Sequence, residues 1–230
     1  MTAQQLKNAI LQEAIQGRLV PQDPNDEPAS VLLDRIRKEK QQLVKEGKLK
    51  KKDLEEKPIS EDEIPFEIPE SWEWVRLGSV ISLLSGRDLA PQEYNDNKSG
   101  IPYITGASNF EGGNLIINRW TAKPITISQK GDLLITCKGT IGTMAYNVVG
   151  DIHIARQVMA IKSNKINLDF IKYFMMRQVY ELEKKAKSII PGISREDVLE
   201  ALFPLPPLAE QKRIVERIEQ LFKEIDKLKV

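Results

Sequence analysis

The run Phe203-Pro204-Leu205-Pro206-Pro207-Leu208-Ala209-Glu210-Gln211-Lys212-Arg213-Ile214-Val215 constrains this chain more than any other stretch of it. Each proline fixes φ and lacks an amide donor, so the run is expected to end whatever regular element precedes it. The residues after the prolines read as a helix with a heptad seam. Ile214, Ile218, Leu221, Ile225 and Leu228 recur at spacings of four and three, the a/d rhythm that asks for a facing helix. Lys212, Arg213, Glu216, Arg217, Glu219, Lys223, Glu224 and Lys227 flank the seam with charge. Two arrangements satisfy it: an amphipathic helix docked on its own domain, or an arm that leaves the globular body to hold a partner helix.

The rest of the chain has material for such a body. The protein is 230 residues long with 41% hydrophobic content, enough for one large domain or one domain with extensions. No apolar run approaches the length that crosses a bilayer, and Met1 to Lys7 has no apolar signal region behind it. Cys137 is the single cysteine, which excludes an intrachain disulfide and a cysteine metal cluster. A cytoplasmic protein without membrane contact is expected. The net charge of +1 is unevenly spread: Val75 to Pro207 holds 16 Lys/Arg and 12 Asp/Glu, a balance of +4 that leaves −3 elsewhere. A mildly basic body permits nucleic-acid binding without demanding it.

Along the chain, Leu6, Ala9, Ile10 and Ala14 lie on one helical stripe and Gly17 is a plausible stop. Pro21, Pro24 and Pro28 mark a turn-rich connector. A second helix is predicted from Pro28 to Glu46, with Leu32, Leu33, Ile36 and Leu43 as its apolar stripe and Gly47 closing it. Lys48 to Lys57, with the triplet Lys50-Lys51-Lys52, reads as a solvated charged linker. Ile64 to Gly78 carries two prolines and the pair Trp72 and Trp74, large apolar anchors that alternation puts on one face. Short strand candidates lie at Ile101–Thr105, Asn114–Ile117, Ile125–Ile127, Asp132–Cys137, Met144–Val149 and Gln157–Lys162, punctuated by glycines. Asn167 is a good N-cap for a helix carrying Leu168, Ile171, Phe174, Met175, Val179 and Leu182 and closing near Lys187.

No pattern of catalytic residues stands out. There is no G-x-x-x-x-G-K-[ST] phosphate loop and no G-x-G-x-x-G after a strand. The Asn/Asp-Pro-Pro-aromatic motif of amino-methyltransferases is missing. His153 is the sole histidine, fewer than a zinc enzyme usually needs. Glu55 and Lys57 have the spacing of a nuclease half-motif but sit in the charged linker with no strand to present them. Cys137 is better read as a buried strand thiol than as a nucleophile. A binding protein without a catalytic site, metal or cofactor of its own is expected.

Three blocks share a family resemblance. Pro204-Leu205-Pro206-Pro207-Leu208-Ala209-Glu210-Gln211-Lys212-Arg213-Ile214-Val215, the stretch 64–78, and Gln5 to Pro28 each resemble the conserved regions of the specificity subunits of type I restriction-modification enzymes. Gly131 to Ile135, Gly139 to Gly142 and Ile193 to Val198 fit that family's recognition-domain core. The resemblance implies an α+β fold: a mixed α/β target recognition domain with short strands, plus long helical coiled-coil arms. It implies N-terminal helices and a charged linker over 1–60, the recognition domain over 61–206 and a conserved coiled-coil helix over 207–230. The implied partners are double-stranded DNA, methyltransferase subunits and a restriction/translocase subunit, with S-adenosylmethionine, ATP and Mg expected on those subunits. Family members usually carry two recognition domains. This chain has one, as a natural half-subunit or as the front half of a longer protein. As a half, its seam at Ile214, Ile218, Leu221, Ile225 and Leu228 implies a two-fold homodimer, with an arm from Leu208 to Lys229 of about 33 Å at ~1.5 Å per residue.

Reading DNA sequence requires donors and acceptors at base edges, with basic groups on phosphates to fix register. The loops between the expected strands offer Arg87, Lys98, Asn109, Arg119, Lys138, Thr140, Arg156 and Gln157. Lys138 precedes Gly139, where the backbone could approach a phosphate closely. Arg156 beside Gln157 pairs a guanine-suited side chain with an adenine-suited one. A coiled-coil adaptor that binds protein and no DNA is the competing class.

Overall fold

The computed structural model describes residues 2–185 and 192–228. The fold is α+β and divides into two compact units, one drawn from Met1–Val80, Asn164–Tyr180 and Leu199–Val230, the other from Ile81–Ser163 and Glu181–Val198. The units are interleaved along the sequence, so their limits cross the linear segments 1–60, 61–206 and 207–230.

In the first unit, helix α1 (Ala3–Ile15) opens with a capping box: Thr2 Oγ1 accepts from the Gln5 amide and Gln5 Oε1 accepts from the Thr2 amide. Gly17, at φ +70, ends it. A Cβ there would lie 2.4 Å from Pro69 Cγ, so glycine is also what lets this end of the helix seat on the 69–72 segment. The inward face of the helix packs along the C-terminal helix of the same unit. Asn8, Leu11, Ala14 and Ile15 are buried, whereas Leu6 and Ala9 of the anticipated stripe are exposed. Helix α2 (Ala29–Lys45) buries Leu32, Leu33 and Ile36 as its spacing predicts, and leaves Leu43 half-buried.

The proline run both forms an element and ends it: Pro204 lies within a strand that stops at Leu205, directly before Pro206 and Pro207. Strand β1 (Glu73–Arg76) pairs antiparallel with β12 (Leu202–Leu205), with Trp74 opposite Pro204. A two-stranded ribbon has a free outer edge, where a missing amide donor is tolerated. Helix α3 (Leu168–Lys185) starts at Asn167, whose Oδ1 accepts from the amides of Asp169 and Phe170; its expected end near Lys187 lies outside the described residues. Around the ribbon, Phe203 meets Phe170 and Phe174 edge-on at 5.6 and 4.9 Å, and Trp72 meets Phe170 at 6.5 Å. Trp72 is buried, while Trp74 stays half-exposed against Phe66.

A short helix α4 (Arg195–Leu199) precedes β12, and helix α5 (Leu208–Lys227) packs along α1 of the same chain. Ile214 and Ile218 are fully buried and Ile225 nearly so. Docking on its own domain, one of the two arrangements open from the sequence, is therefore realised for these positions.

The second unit holds two four-stranded sheets. One is ordered β2 (Ser82–Ser85), β11 (Val158–Lys162), β8 (Leu133–Thr136), β9 (Met144–Tyr146), antiparallel throughout. The other is ordered β6 (Trp120–Thr121), β3 (Ile101–Ile104), β10 (Ile152–Ile154), β7 (Ile127–Ser128), with β3 and β10 parallel. A hairpin of β4 (Phe110–Glu111) and β5 (Asn114–Leu115) completes it. Ile104, Ile152 and Ile154 of one sheet cluster with Leu134, Val158 and Ala160 of the other. Each large aliphatic side chain buried this way contributes roughly 1.5–3 kcal/mol.

Candidate functional site

Strand register brings four loops to one rim. In the sheet β2-β11-β8-β9, Ser85 lies opposite Met159, Thr136 opposite Val158 and Met144 opposite Ile135. The segment leaving β2 (86–88), the one entering β11 (155–157) and the one joining β8 to β9 (137–143) therefore share one end of the sheet. Parallel pairing of Ile154 with Ile104 lays the segment leaving β3 (105–108) beside 155–157. Of the eight candidates, Arg87, Lys138, Thr140, Arg156 and Gln157 lie on this rim.

The 86–89 segment is tied down at every residue but Asp88's own backbone. The Gly86 amide donates to Val158 O at 3.1 Å, the Arg87 amide to Ile154 O at 2.9 Å and the Leu89 amide to the Tyr103 hydroxyl at 3.3 Å. A Cβ on Gly86 would sit 2.1 Å from the Ala155 carbonyl oxygen, so only glycine allows this approach. The Arg87 carbonyl faces His153 Nε2 at 2.9 Å. His153 Nδ1 accepts from the Thr126 amide at 3.1 Å, which leaves the proton on Nε2, donating to Arg87. Burial holds the His153 pKa below its usual value. The sole histidine is thus a neutral brace for a rim loop.

The carboxylate of Asp88 faces Arg156. Oδ1 accepts from the Arg156 amide at 3.2 Å, and Oδ2 lies 2.7 Å from Arg156 Nε. Gln157 is half-buried, with Oε1 buried and without a partner among the described residues, and its carbonyl accepts from the Cys137 amide at 2.8 Å. Cys137 is buried and its thiol pKa is pushed up by burial, the opposite of what a nucleophile requires. Lys138, Gly139 and Thr140 are exposed, with Gly139 at φ +73 and open space around it. The arrangement offers cations, a hydroxyl and amides on fixed backbone.

Of the other three candidates, Lys98 and Arg119 lie elsewhere and Asn109 lies beneath the rim. Lys98 is exposed in a turn held by Asn95, and Asn95 pairs with Trp120, next to Arg119. Arg119 stacks over the Tyr94 ring at 5.0 Å. Asn109 must be withdrawn as a contact residue. It is fully buried: Oδ1 accepts from the Thr105 amide and hydroxyl, and Nδ2 donates to Ile116 O at 2.8 Å. Its role is to shape the 105–109 turn.

Comparison with known proteins bears directly on this arrangement. The family model described as type I restriction modification DNA specificity domain matches residues 69–229. The chain belongs to that family. It is 34% identical over 97% of its length to the type I restriction enzyme EcoAI specificity subunit of Escherichia coli, of which it covers 40%. It is 31% identical over 73% of its length to the putative type I restriction enzyme MjaX specificity subunit of Methanocaldococcus jannaschii, again covering 40%. Among solved structures, the HsdS subunit from Thermoanaerobacter tengcongensis superposes with a TM-score of 0.64 at 25% identity, over 87% of this chain and 50% of that one. This specificity domain thus spans about two fifths of the length of the curated relatives it matches.

Of the seam positions, Ile214, Ile218 and Ile225 are covered by the specificity domain's own chain, Leu221 is half-buried and Leu228 is 82% exposed. Sequence reading missed two buried polar residues beside them, Glu210 and Gln211. Their signal was present: they precede Ile214 by four and three residues, which places them on its stripe.

Proposed function

We propose that this chain is the sequence-reading, non-catalytic subunit of a type I restriction-modification complex. In that role it binds double-stranded DNA and directs methyltransferase and restriction/translocase subunits, which bring S-adenosylmethionine, ATP and Mg²⁺, to a bipartite target in the cytoplasm. The observation that carries the reading is the rim, where Arg87, Lys138, Thr140, Arg156 and Gln157 stand on loops braced by buried strands. Base readout needs such donors and acceptors held in fixed register, with cations for phosphates. Family membership supports the same role and disfavours the coiled-coil adaptor.

A two-fold dimer of half-subunits would present two rims to inverted half-sites. Its contacts would come from what the α1–α5 pair leaves open, such as Leu6, Leu221 and Leu228, and not from the buried Ile214, Ile218 and Ile225.

The test is a genome-wide map of adenine methylation in cells expressing this chain with its neighbouring methyltransferase subunit. An interrupted palindrome that vanishes when the chain is omitted supports both the role and the dimer. An asymmetric bipartite motif keeps the role and overturns the homodimer. Methylation that is indifferent to the chain overturns the role and favours the adaptor.

A further inference from the structure

Arginine is the side chain best suited to guanine because two parallel N–H groups match O6 and N7 in the major groove. An unrestrained arginine loses most of that advantage, since ordering its four side-chain torsions is entropically costly. Arg156 is restrained. Its amide and its Nε both reach the Asp88 carboxylate, at 3.2 and 2.7 Å. With Nε occupied, the edge formed by the two terminal nitrogens has no partner among the described residues, and the side chain is 65% exposed. The guanidinium is oriented on one side and open on the other.

The restraint is itself supported. Asp88 comes directly after Arg87, whose amide donates to Ile154 O and whose carbonyl accepts from buried His153. It precedes Leu89, whose amide donates to the Tyr103 hydroxyl. Gly86 lets this segment lie against the Ala155 carbonyl. On the other partner's side, Ala155 N–H donates to Ile104 O, and the Gln157 carbonyl accepts from Cys137 N–H. A surface ion pair alone stabilises little. Two braced backbones converging on one carboxylate and one guanidinium describe a preorganised reader with its supporting shell.

We infer that Arg156 reads a guanine of the target through its terminal guanidinium nitrogens, and that Asp88 is the positioning residue that aims it. The inference rests on the DNA-reading role proposed above and names one base and one pair within it. Lys138 differs in kind: an ammonium on a glycine-flanked loop suits a phosphate, which carries no sequence information.

The experiment compares wild type, R156A, R156K, D88A and K138A, each as the full chain co-expressed with the methyltransferase subunit, by sequencing methylated sites and scoring base preference at every motif position. R156A and R156K are expected to lower discrimination for guanine at one position by about 10- to 100-fold, leaving other positions intact. D88A is expected to relax the same position by about 3- to 10-fold, and K138A to reduce methylation evenly across sites. A wild-type motif that R156A leaves unchanged overturns the inference while the DNA-reading role stands. Relaxation by R156A but not by D88A overturns the positioning role of Asp88. Absence of any chain-dependent motif in wild type overturns the DNA-reading role and this inference together.

Discussion

Trp72 Nε1 donates a 2.9 Å hydrogen bond to Glu210 Oε2, and both side chains are buried. The bond joins the residue before β1 to the first turn of α5. Glu210 Oε1 accepts in addition from Gln22 Nε2 at 2.6 Å, which draws in the connector between α1 and α2. One turn on, Arg213 meets Asp26 of the same connector, with Nη2 to Oδ2 at 2.5 Å. A carboxylate placed on the apolar stripe of α5 thus fixes where that helix docks. Replacing it with alanine strands one buried donor, Trp72 Nε1, and releases the exposed Gln22 from the helix. E210A is expected to lose about 2–4 kcal/mol of stability in urea unfolding of the full chain, far more than an exposed helix substitution. A loss below about 1 kcal/mol, the net worth of one ordinary hydrogen bond, would mean the network contributes no specificity to docking.

Two glutamates should respond to pH in opposite directions. Burial raises the pKa of Glu210 above its ordinary value, so the folded state binds its proton more tightly than the unfolded chain does. The stability it contributes is complete below the unfolded pKa and is lost as pH rises through the raised folded value. The cost of E210Q should therefore grow as pH falls from neutral toward 4.5, the ordinary glutamate value. Glu63 is the reverse. Its hydrogen bond from Arg76 Nη2, at 2.5 Å, pulls its pKa down from 4.5 to about 2. Its contribution is present above 4.5 and disappears as pH falls toward 2, so wild type and E63Q should converge in acid. Urea titrations at a series of pH values read both trends.

The seam makes a sharper claim about where α5 belongs. Ile218 is fully buried within the chain and Leu228 is 82% exposed. I218A should lower stability by about 2–5 kcal/mol, and the loss should be the same at low and high protein concentration because the covering helix is intramolecular. L228A should stay within about 0.5 kcal/mol of wild type in the dilute chain. Thermal melts over a hundredfold concentration range distinguish the cases; a concentration-dependent penalty for I218A would place its partner in a second copy.

How far the sequence could be read depends on which forces act locally. Helix α2 was legible because Leu32, Leu33 and Ile36 recur at helical spacing and Gly47 ends the run at φ +71. The start of α3 was legible for a similar reason, since Asn167 caps its own first turn. The inward face of α1 was not. It is set by packing along α5, about 200 residues away in sequence, which no local pattern encodes. Strand β10 escaped notice because three residues centred on a histidine make no alternating run. The proline run was read for the donors it lacks, yet Pro204 pairs opposite Trp74 in β12. For the rim, residue types were readable and convergence was not. Arg156 and Gln157 stood out by type, but Asp88 acquires its meaning only through register across β2 and β11. Asn109 illustrates the converse, a polar loop residue whose amide groups are consumed in holding its own turn.

Glycines at the rim separate rigidity from chain freedom. Gly86 has a Cβ position 2.1 Å from the Ala155 carbonyl oxygen, whereas Gly139 has open space around it and a φ of +73. G139A should cost about 1 kcal/mol through the left-handed backbone alone and leave the motif intact. G86A must displace backbone, moving the segment that carries Asp88 away from Arg156. It is expected to lower stability by several kcal/mol, on the scale of overpacking a core, and to relax the same guanine position as D88A. Equal behaviour of the two alanine variants in thermal melts would show that close approach at residue 86 is not what fixes the rim.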